Sequence, residues 1–361
     1  MVEPSGSAKE VWRTGPPVSE LGEFGLIDRI RRRLEQAATD RTPGPLDAAL
    51  TDIGDDAAIY RPPAGWDLLL TCDALIEGCH FQPAWITPRE AGARAAEINL
   101  SDIAAMGGLP EGALVSLGLP PGLSIAAVDE IYEGLLHSLE GHGARILGGN
   151  IATSDQLFLD ITLLGRVEAG KALRRSGARP GDVVFVTGSP GAAGAALAAL
   201  RAEPAAVTAG GLRERMRRHH AAPRARIDVG RYLVTEDLAS AAIDLSDGLA
   251  GDMRHVCEES GVAVVFEERF LPLDEDLLLL AEKLKSDPLL WVLGASDDYE
   301  LLFTAPPANA DRVFAAAGLC GVRVTPIGSV VAGSADVRLR KREGSLVDLP
   351  GGWDHLRSAP G

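Results

Sequence analysis

Phe24, Leu26, Ile27, Ile30 and Leu34 recur at helical spacing, which predicts an amphipathic helix near the start of the chain. The apolar run Leu68-Leu69-Leu70 predicts a buried strand. Thr87-Pro88-Arg89-Glu90 carries the marks of a helix start: a hydroxyl at the N-cap, proline in the first turn and a glutamate able to reach back. That helix runs on through Asn99 and Asp102 and ends near Gly107-Gly108. Residues 113–119 predict a strand, and Ser124 caps a helix with Val128, Ile131, Leu135 and Leu139 on its apolar face. Strands at 145–147 and 157–167 complete a first half ordered roughly β-α-β-α-β-β.

Residues 168–180 are polar and contain glycine, as a domain link would. A strand at 182–187 then leads into the Gly/Ala-rich segment 188–194 and an alanine-rich helix. Residues 212–226 are rich in arginine, and a short strand at 241–245 meets Ser246-Asp247-Gly248. A helix to Ser260, strands at 262–266 and 301–303, a helix at 308–317 and strands to about 339 follow. The expected fold class is mixed, α/β with α+β character. The expected domains are 21–167 and 168–361, after a loose Pro-, Gly- and Ser-containing tail over 1–20.

Composition narrows the partners. With 361 residues, 46% of them hydrophobic, the chain can bury two cores. A formal net charge of −16 repels nucleic acid and anionic membrane. Phosphates then require Arg, helix N-termini or metal cations at the site itself. Cys72, Cys79, Cys257 and Cys320 form no C-x-x-C pair, so reduced thiols in a cytoplasmic protein are expected, with neither a zinc site nor a redox motif. No apolar run reaches the ~20 residues of a membrane span, and residues 1–17 lack the apolar stretch of a signal peptide.

Candidate chemistry lies in aspartates and asparagines at the ends of elements: Asp55-Asp56, Asp73, Asn99, Asp102, Asn150, Asp244 and Asp247. Mg²⁺ takes hard oxygen ligands, commonly one or two carboxylates together with phosphates and water. Each aspartate by itself also reads as a turn or cap residue, but carboxylates beside apolar strands are costly unless partnered. Segment 188–194 links a strand to a helix without the Lys-Ser/Thr ending of a P-loop, which favours a tight structural turn over a phosphate cradle. Arg174-Arg175-Ser176-Gly177 reads equally as a phosphate contact and as a solvated turn. The arginines of 213–226 read as a solvated helix face. No Ser-His-Asp order, H-E-x-x-H or G-x-S-x-G supports a hydrolase.

Taken in order, Ile53-Gly54-Asp55-Asp56-Ala57, the segment Thr71-Cys72-Asp73 through His80-Phe81, Asn99-Leu100-Ser101-Asp102, Arg175-Ser176-Gly177-Ala178, Ile243-Asp244-Leu245-Ser246-Asp247-Gly248 and Asp298-Tyr299-Glu300-Leu301 resemble one family over nearly the whole chain. It is thiamine-monophosphate kinase, of the superfamily that includes aminoimidazole ribonucleotide synthetase and selenophosphate synthetase. The resemblance implies a two-domain fold of that superfamily, with the nucleotide between the domains. It implies transfer of the ATP γ-phosphoryl group to thiamine monophosphate, several Mg²⁺ ions and a homodimer paired through its N-terminal domains. By position it makes Asp56, Thr71, Asp73, Asp102, Asn150, Asp244 and Asp247 metal ligands, and Tyr132, Gly149, Asn150, Arg175 and Ser246 nucleotide contacts. Asp102 and Arg175 would also be catalytic, and His80, Asp297 and Trp353 would line the thiamine phosphate site.

Three positions depart from the family pattern: Asn150 where an aspartate follows the paired glycines, Ala295-Ser296-Asp297 for Gly-Gly-Glu, and Cys72 for threonine. Two other readings therefore stay open. One is an ATP-dependent superfamily member acting on another small molecule; the other is a nucleotide-binding homologue without catalysis.

Overall fold

The computed structural model describes residues 10–39, 57–203, 207 and 211–349. Two compact units are present, Met1–Leu100 with Leu109–Ala169, and Ser101–Gly108 with Gly170–Gly361.

In the first unit α1 (Val18–Thr39), kinked at Gly22 where φ is 65°, precedes β1 (Trp66–Ile76), α2 (Pro88–Ala105), β2 (Leu109–Leu119), α3 (Ile125–Gly141), β3 (Arg145–Thr153) and β4 (Phe158–Glu168). The anticipated helix starts are both present. Thr87 Oγ1 accepts the Glu90 amide at 3.2 Å while the Glu90 carboxylate accepts the Thr87 amide at 2.8 Å, a reciprocal capping box. Ser124 Oγ accepts the Ala127 amide at 3.1 Å. The strands form one sheet in the order β1-β4-β2-β3, antiparallel except for the β2–β3 pair.

Strand β1 differs from its expectation. Leu69 and Leu75 are buried, but Leu68 and Leu70 face out, so it is a half-buried strand at a sheet edge. A continuous apolar run does not reveal which of its faces is covered. Helices α2 and α3 touch backbone to backbone. A Cβ on Gly92 would lie 2.0 Å from the Ile131 carbonyl, and one on Gly134 would lie 2.0 Å from that of Arg89. Within the expected tail, Trp12 and Val18 are buried, so residues 10–20 are anchored at those two points rather than loose throughout. The Trp12 ring stacks on Phe81, and its indole N–H donates to the Pro83 and Ile86 carbonyls. Along α1 the buried stripe runs through Leu26 and Ile30, with Phe24 exposed.

The second unit contains β5 (Val183–Thr187), α4 (Ala192–Arg201), α5 (Leu212–Ala221), α6 (Ile227–Thr235), β6 (Ala241–Asp244), α7 (Leu249–Ser260) and β7 (Ala263–Glu267). It continues with α8 (Glu275–Leu284), α9 (Leu289–Leu293), β8 (Leu301–Ala305), α10 (Ala310–Leu319), β9 (Val324–Val331), β10 (Val337–Arg340) and β11 (Leu346–Asp348). The sheet order is β11-β10-β7-β9-β5-β8-β6, which leaves β6 at an edge. Val184, Val186, Ile243, Val264, Leu302 and Ile327 from the strands pack with Met216, Met253 and Val256 from the helices. Helices α6, α8 and α9 and strand β11 were not anticipated. Runs such as Leu277-Leu278-Leu279-Leu280 carry no period that separates helix from strand.

Candidate active site

Within the first unit, Thr71 and Asp73 lie on β1, and Asn99 fixes their strand to α2. The Asn99 Oδ1 accepts the Asp73 amide at 3.0 Å, while its Nδ2 donates to the carbonyls of Asp73 at 3.4 Å and Ala95 at 3.0 Å. A fully buried amide is thereby satisfied, and the Asp73 backbone cannot drift. Just past β1, His80 Nδ1 accepts the Ile76 amide at 3.0 Å, which leaves the ring proton on Nε2.

Asn150 is not brought to Asp73. In register, Asp73 shares a row with Ile161, Val115 and Gly149, whereas Asn150 shares the next row with Ser116, Asp160 and Ala74. The two side chains therefore leave opposite faces, from strands three spacings apart, about 14 Å. Gly149 is required by the sheet itself, because a Cβ there would lie 1.8 Å from the Val115 carbonyl oxygen. Tyr132 lies on the buried face of α3, 4% exposed, and burial pushes its phenol up. Asp56 and Trp353 fall outside the described residues.

Within the second unit, acidic and hydroxyl groups gather at the C-terminal end of β6. Asp244 is buried there and accepts the Ser101 hydroxyl at 2.7 Å, which draws the last turn of α2, with Asp102 on it, to the strand end. Beyond Asp244 the chain turns through Leu245-Ser246-Asp247-Gly248 into α7. The Asp252 carboxylate reaches back and accepts the amides of Ser246 and Asp247 at 3.1 Å each and of Gly248 at 3.0 Å. Burial, with the charges of Asp244 and Asp247, pushes the Asp252 carboxyl up to about 8. Like charges held this close in a dry site favour a proton or a cation among them.

A second loop lies against this turn. A Cβ on Gly248 would lie 1.9 Å from the Gly294 carbonyl oxygen, and the Tyr299 amide donates to the Leu245 carbonyl at 2.8 Å. Asp297 is on that loop, so it shares this end of the sheet with Ser246 and Asp247. The neighbouring Asp298 carboxylate accepts the Gly191 amide at 2.6 Å and the Ala193 amide at 2.8 Å, while Ser296 Oγ accepts the Gly194 amide at 2.9 Å. Burial pushes the Asp298 carboxyl up to about 7 against the pull of those amides. The glycine-rich 188–194 segment thus spends its amides on its own chain and is a structural turn, as its sequence favours.

Arg175 is exposed on a segment that runs along the free edge of β6. The Ala242 amide donates to the Arg174 carbonyl at 2.9 Å, and Ser260 Oγ ties the Arg175 carbonyl to the Gly177 and Ala178 amides. Of the arginines of 213–226, Arg215, Arg218 and Arg224 are exposed as expected, but Arg213 and Arg226 are not part of a solvated face. Arg213 donates to the carbonyls of Ala199, Leu200 and Ala202 at the C-terminal end of α4, and Arg226 pairs through two nitrogens with Glu300. Residues to which the sequence assigned no role are those that hold other groups: Ser101, which bonds the Asp244 carboxylate, and Asp252 and Asp298, which accept backbone amides. For Asp252 the available signal was a carboxylate in the first turn of a helix that lacks a side-chain cap.

Among the described residues, no group of three or more His, Cys, Asp or Glu side chains forms a preassembled metal cage. Mg²⁺ does not call for one, since it commonly keeps water and takes one or two carboxylates. The hard oxygens and crowded negative charge at the end of β6 fit such an ion.

The profile of AIR synthase related protein, N-terminal domain, matches residues 54–167, and that of the C-terminal domain matches residues 179–340. Thiamine-monophosphate kinase of Aquifex aeolicus is 35% identical over 343 residues, covering 94% of this chain and 99% of its own. That of Escherichia coli K12 is 35% identical over 336 residues, covering 93% and 98%. Among solved structures, thiamine-monophosphate kinase from Stenotrophomonas maltophilia superposes with a TM-score of 0.76 at 31% identity over 88% of this chain and 96% of the other. The structure described as AaThiL complexed with AMPPCP and TMP superposes at 0.70, with 33% identity over 95% and 99%. The full-length match and the residues assembled around β6 lead to one assignment: this chain belongs to the thiamine-monophosphate kinase family.

Proposed function

We infer that this chain is a kinase that transfers the γ-phosphoryl group of ATP to the phosphate of thiamine monophosphate, yielding thiamine diphosphate and ADP. The observation that carries this reading is the end-to-end similarity to a relative solved with AMPPCP and TMP. The acceptor is a phosphate with a second pKa near ~6, so at neutral pH it is already a nucleophile and needs no general base. His80 suits that chemistry as a donor through Nε2–H rather than as a proton acceptor, since Nδ1 is occupied by the Ile76 amide. Asp297 would line the same acceptor site, with Trp353 from outside the described residues. Arg175, Ser246, Gly149 and Asn150 would contact the nucleotide; Tyr132 would have to leave its buried place to do so.

Thr71 and Asp73, with Asp56, would hold Mg²⁺ in the first unit, Asp102, Asp244 and Asp247 would do so in the second, and Asn150, on the other sheet face from Asp73, would serve a separate ion; when bound, Mg²⁺ offsets the repulsion of two anions and polarises the transferring phosphoryl group. The protein's own task is positioning: Asn99 holds Asp73, Ser101 holds Asp244, and the transfer runs in line without a phosphoenzyme. The decisive assay mixes protein, ATP and thiamine monophosphate with and without Mg²⁺. Metal-dependent thiamine diphosphate is expected. Bound ATP without product would instead place the weight on the Asn150 and Asp297 departures.

The same reading includes a homodimer in the cytoplasm, paired through the open face of the first unit's sheet. Leu68, Leu70 and Leu114 are exposed there, and Leu70 pairs with Leu164. Apolar side chains gathered on a sheet face need a cover, and a second copy of the same face supplies one by two-fold symmetry. Among the described residues no helix is long and apolar enough to cross a membrane.

A further inference from the structure

Three consecutive amides, those of Ser246, Asp247 and Gly248, converge on one oxygen, Asp252 Oδ2. This is an expensive way to start a helix. The N-cap of α7 is Gly248 at φ 100°, with no side-chain cap of its own. A serine or threonine at that position would satisfy amides without burying a carboxyl group. Asp252 is instead 1% exposed and lies close enough to Asp244 and Asp247 to feel both charges. Nor can a hydroxyl stand at the N-cap. Its backbone lies in the left-handed region that favours glycine, and a Cβ there would meet the Gly294 carbonyl oxygen at 1.9 Å. The close approach of the 294–298 loop thus forces glycine at the cap and moves the capping acceptor into the helix.

The consequence falls on the functional side chains. With its amides turned inward onto Asp252, the 246–248 turn cannot present them to a phosphate. What it presents are the side chains of Ser246, which is exposed, and Asp247, which is half-buried.

We propose that Asp252 is a positioning residue: through three backbone hydrogen bonds to a single oxygen it sets the Ser246-Asp247 turn for nucleotide and Mg²⁺, without itself ligating the metal. This rests on the kinase reading above, in which Ser246 and Asp247 meet ATP and Mg²⁺. Because one oxygen takes all three bonds, an asparagine can supply the same acceptor from its amide oxygen, whereas alanine cannot.

The test compares Asp252→Asn, Asp252→Ala and Asp247→Asn in the full chain. ATP affinity is titrated calorimetrically at several Mg²⁺ concentrations without thiamine monophosphate, and steady-state kinetics follow. Asp252→Asn is expected to stay within about threefold of the parent in ATP affinity, Mg²⁺ midpoint and kcat, while Asp252→Ala weakens ATP affinity and raises the Mg²⁺ midpoint about tenfold or more. The KM for thiamine monophosphate should move less than that for ATP. An Asp252→Asn protein as impaired in Mg²⁺ dependence as Asp247→Asn would overturn the proposal, because the charge and not the acceptor would then matter. So would a folded Asp252→Ala protein indistinguishable from the parent. Should Asp252→Ala fail to fold, the asparagine comparison decides by itself. The calorimetric arm omits the acceptor, so a parent protein that binds ATP yet makes no thiamine diphosphate would sink the acceptor assignment and leave this inference standing.

Discussion

At the scale of single residues, the candidate site depends on groups that hold other groups. Asp102 sits one residue beyond Ser101, whose hydroxyl is bonded to buried Asp244, so it lies on the helix turn that reaches the strand end. Replacing Asp102 with alanine should cut kcat/KM by about a hundredfold or more while the circular dichroism spectrum stays that of a folded protein. A near-normal rate would remove Asp102 from the machinery. Asp298 offers a test through pH. Its carboxyl is raised to about 7 in the folded chain, far above an unfolded aspartate. The folded state therefore holds this proton more tightly, and stability falls as pH rises through that range. Thermal melts between acid and neutral pH should show this decline, and Asp298→Asn should flatten it. An unaltered slope in the variant would assign the decline elsewhere.

At the scale of elements, close backbone approaches decide what the strands and helices can carry. The β2–β3 pair admits no side chain at Gly149, where a Cβ would lie 1.8 Å from a carbonyl oxygen that cannot move without breaking the ladder. Gly149→Ala should destabilise the first unit by about 2–4 kcal/mol, at the upper end of single-substitution effects, read as an early transition in denaturant. If its melting curve matches the parent, the tight approach is not real. The capping box at the head of α2 makes a gentler prediction. Thr87→Ala removes the hydroxyl bonded to the Glu90 amide and should cost about 1 kcal/mol, with activity retained.

For the whole molecule, the open sheet face of the first unit is the feature that a lone chain leaves unexplained. Leu70 is 68% exposed at its edge. A charge there would be harmless on a solvated monomer and costly in a sheet-to-sheet dimer. Leu70→Glu should therefore shift the protein toward monomer in light scattering after size exclusion, with little change in the monomer's fold. A variant that elutes with the mass of the parent would place the dimer interface elsewhere.

The sequence by itself determined the elements with strong local signals: the capped starts of α2 and α3, the first unit's β-α-β-α-β-β order, and the string of motifs that marks the family. Local chemistry writes these, since a cap or a glycine turn involves residues within one turn of each other. It also marked Asp244, Ser246 and Asp247 as candidates for the site. What it could not reveal was their support. Ser101 meets Asp244 across 143 positions, Gly191 meets Asp298 across 107, and Asn99 meets Asp73 across 26. Such pairs leave no periodic trace, because their partners are chosen by how the chain folds back. For the same reason the half-exposed face of β1, the paired arginines 213 and 226, and the separation of Asn150 from Asp73 were decided by the tertiary structure. Sheet order and register set which faces are covered and which charges meet, and neither is encoded in the residues next door.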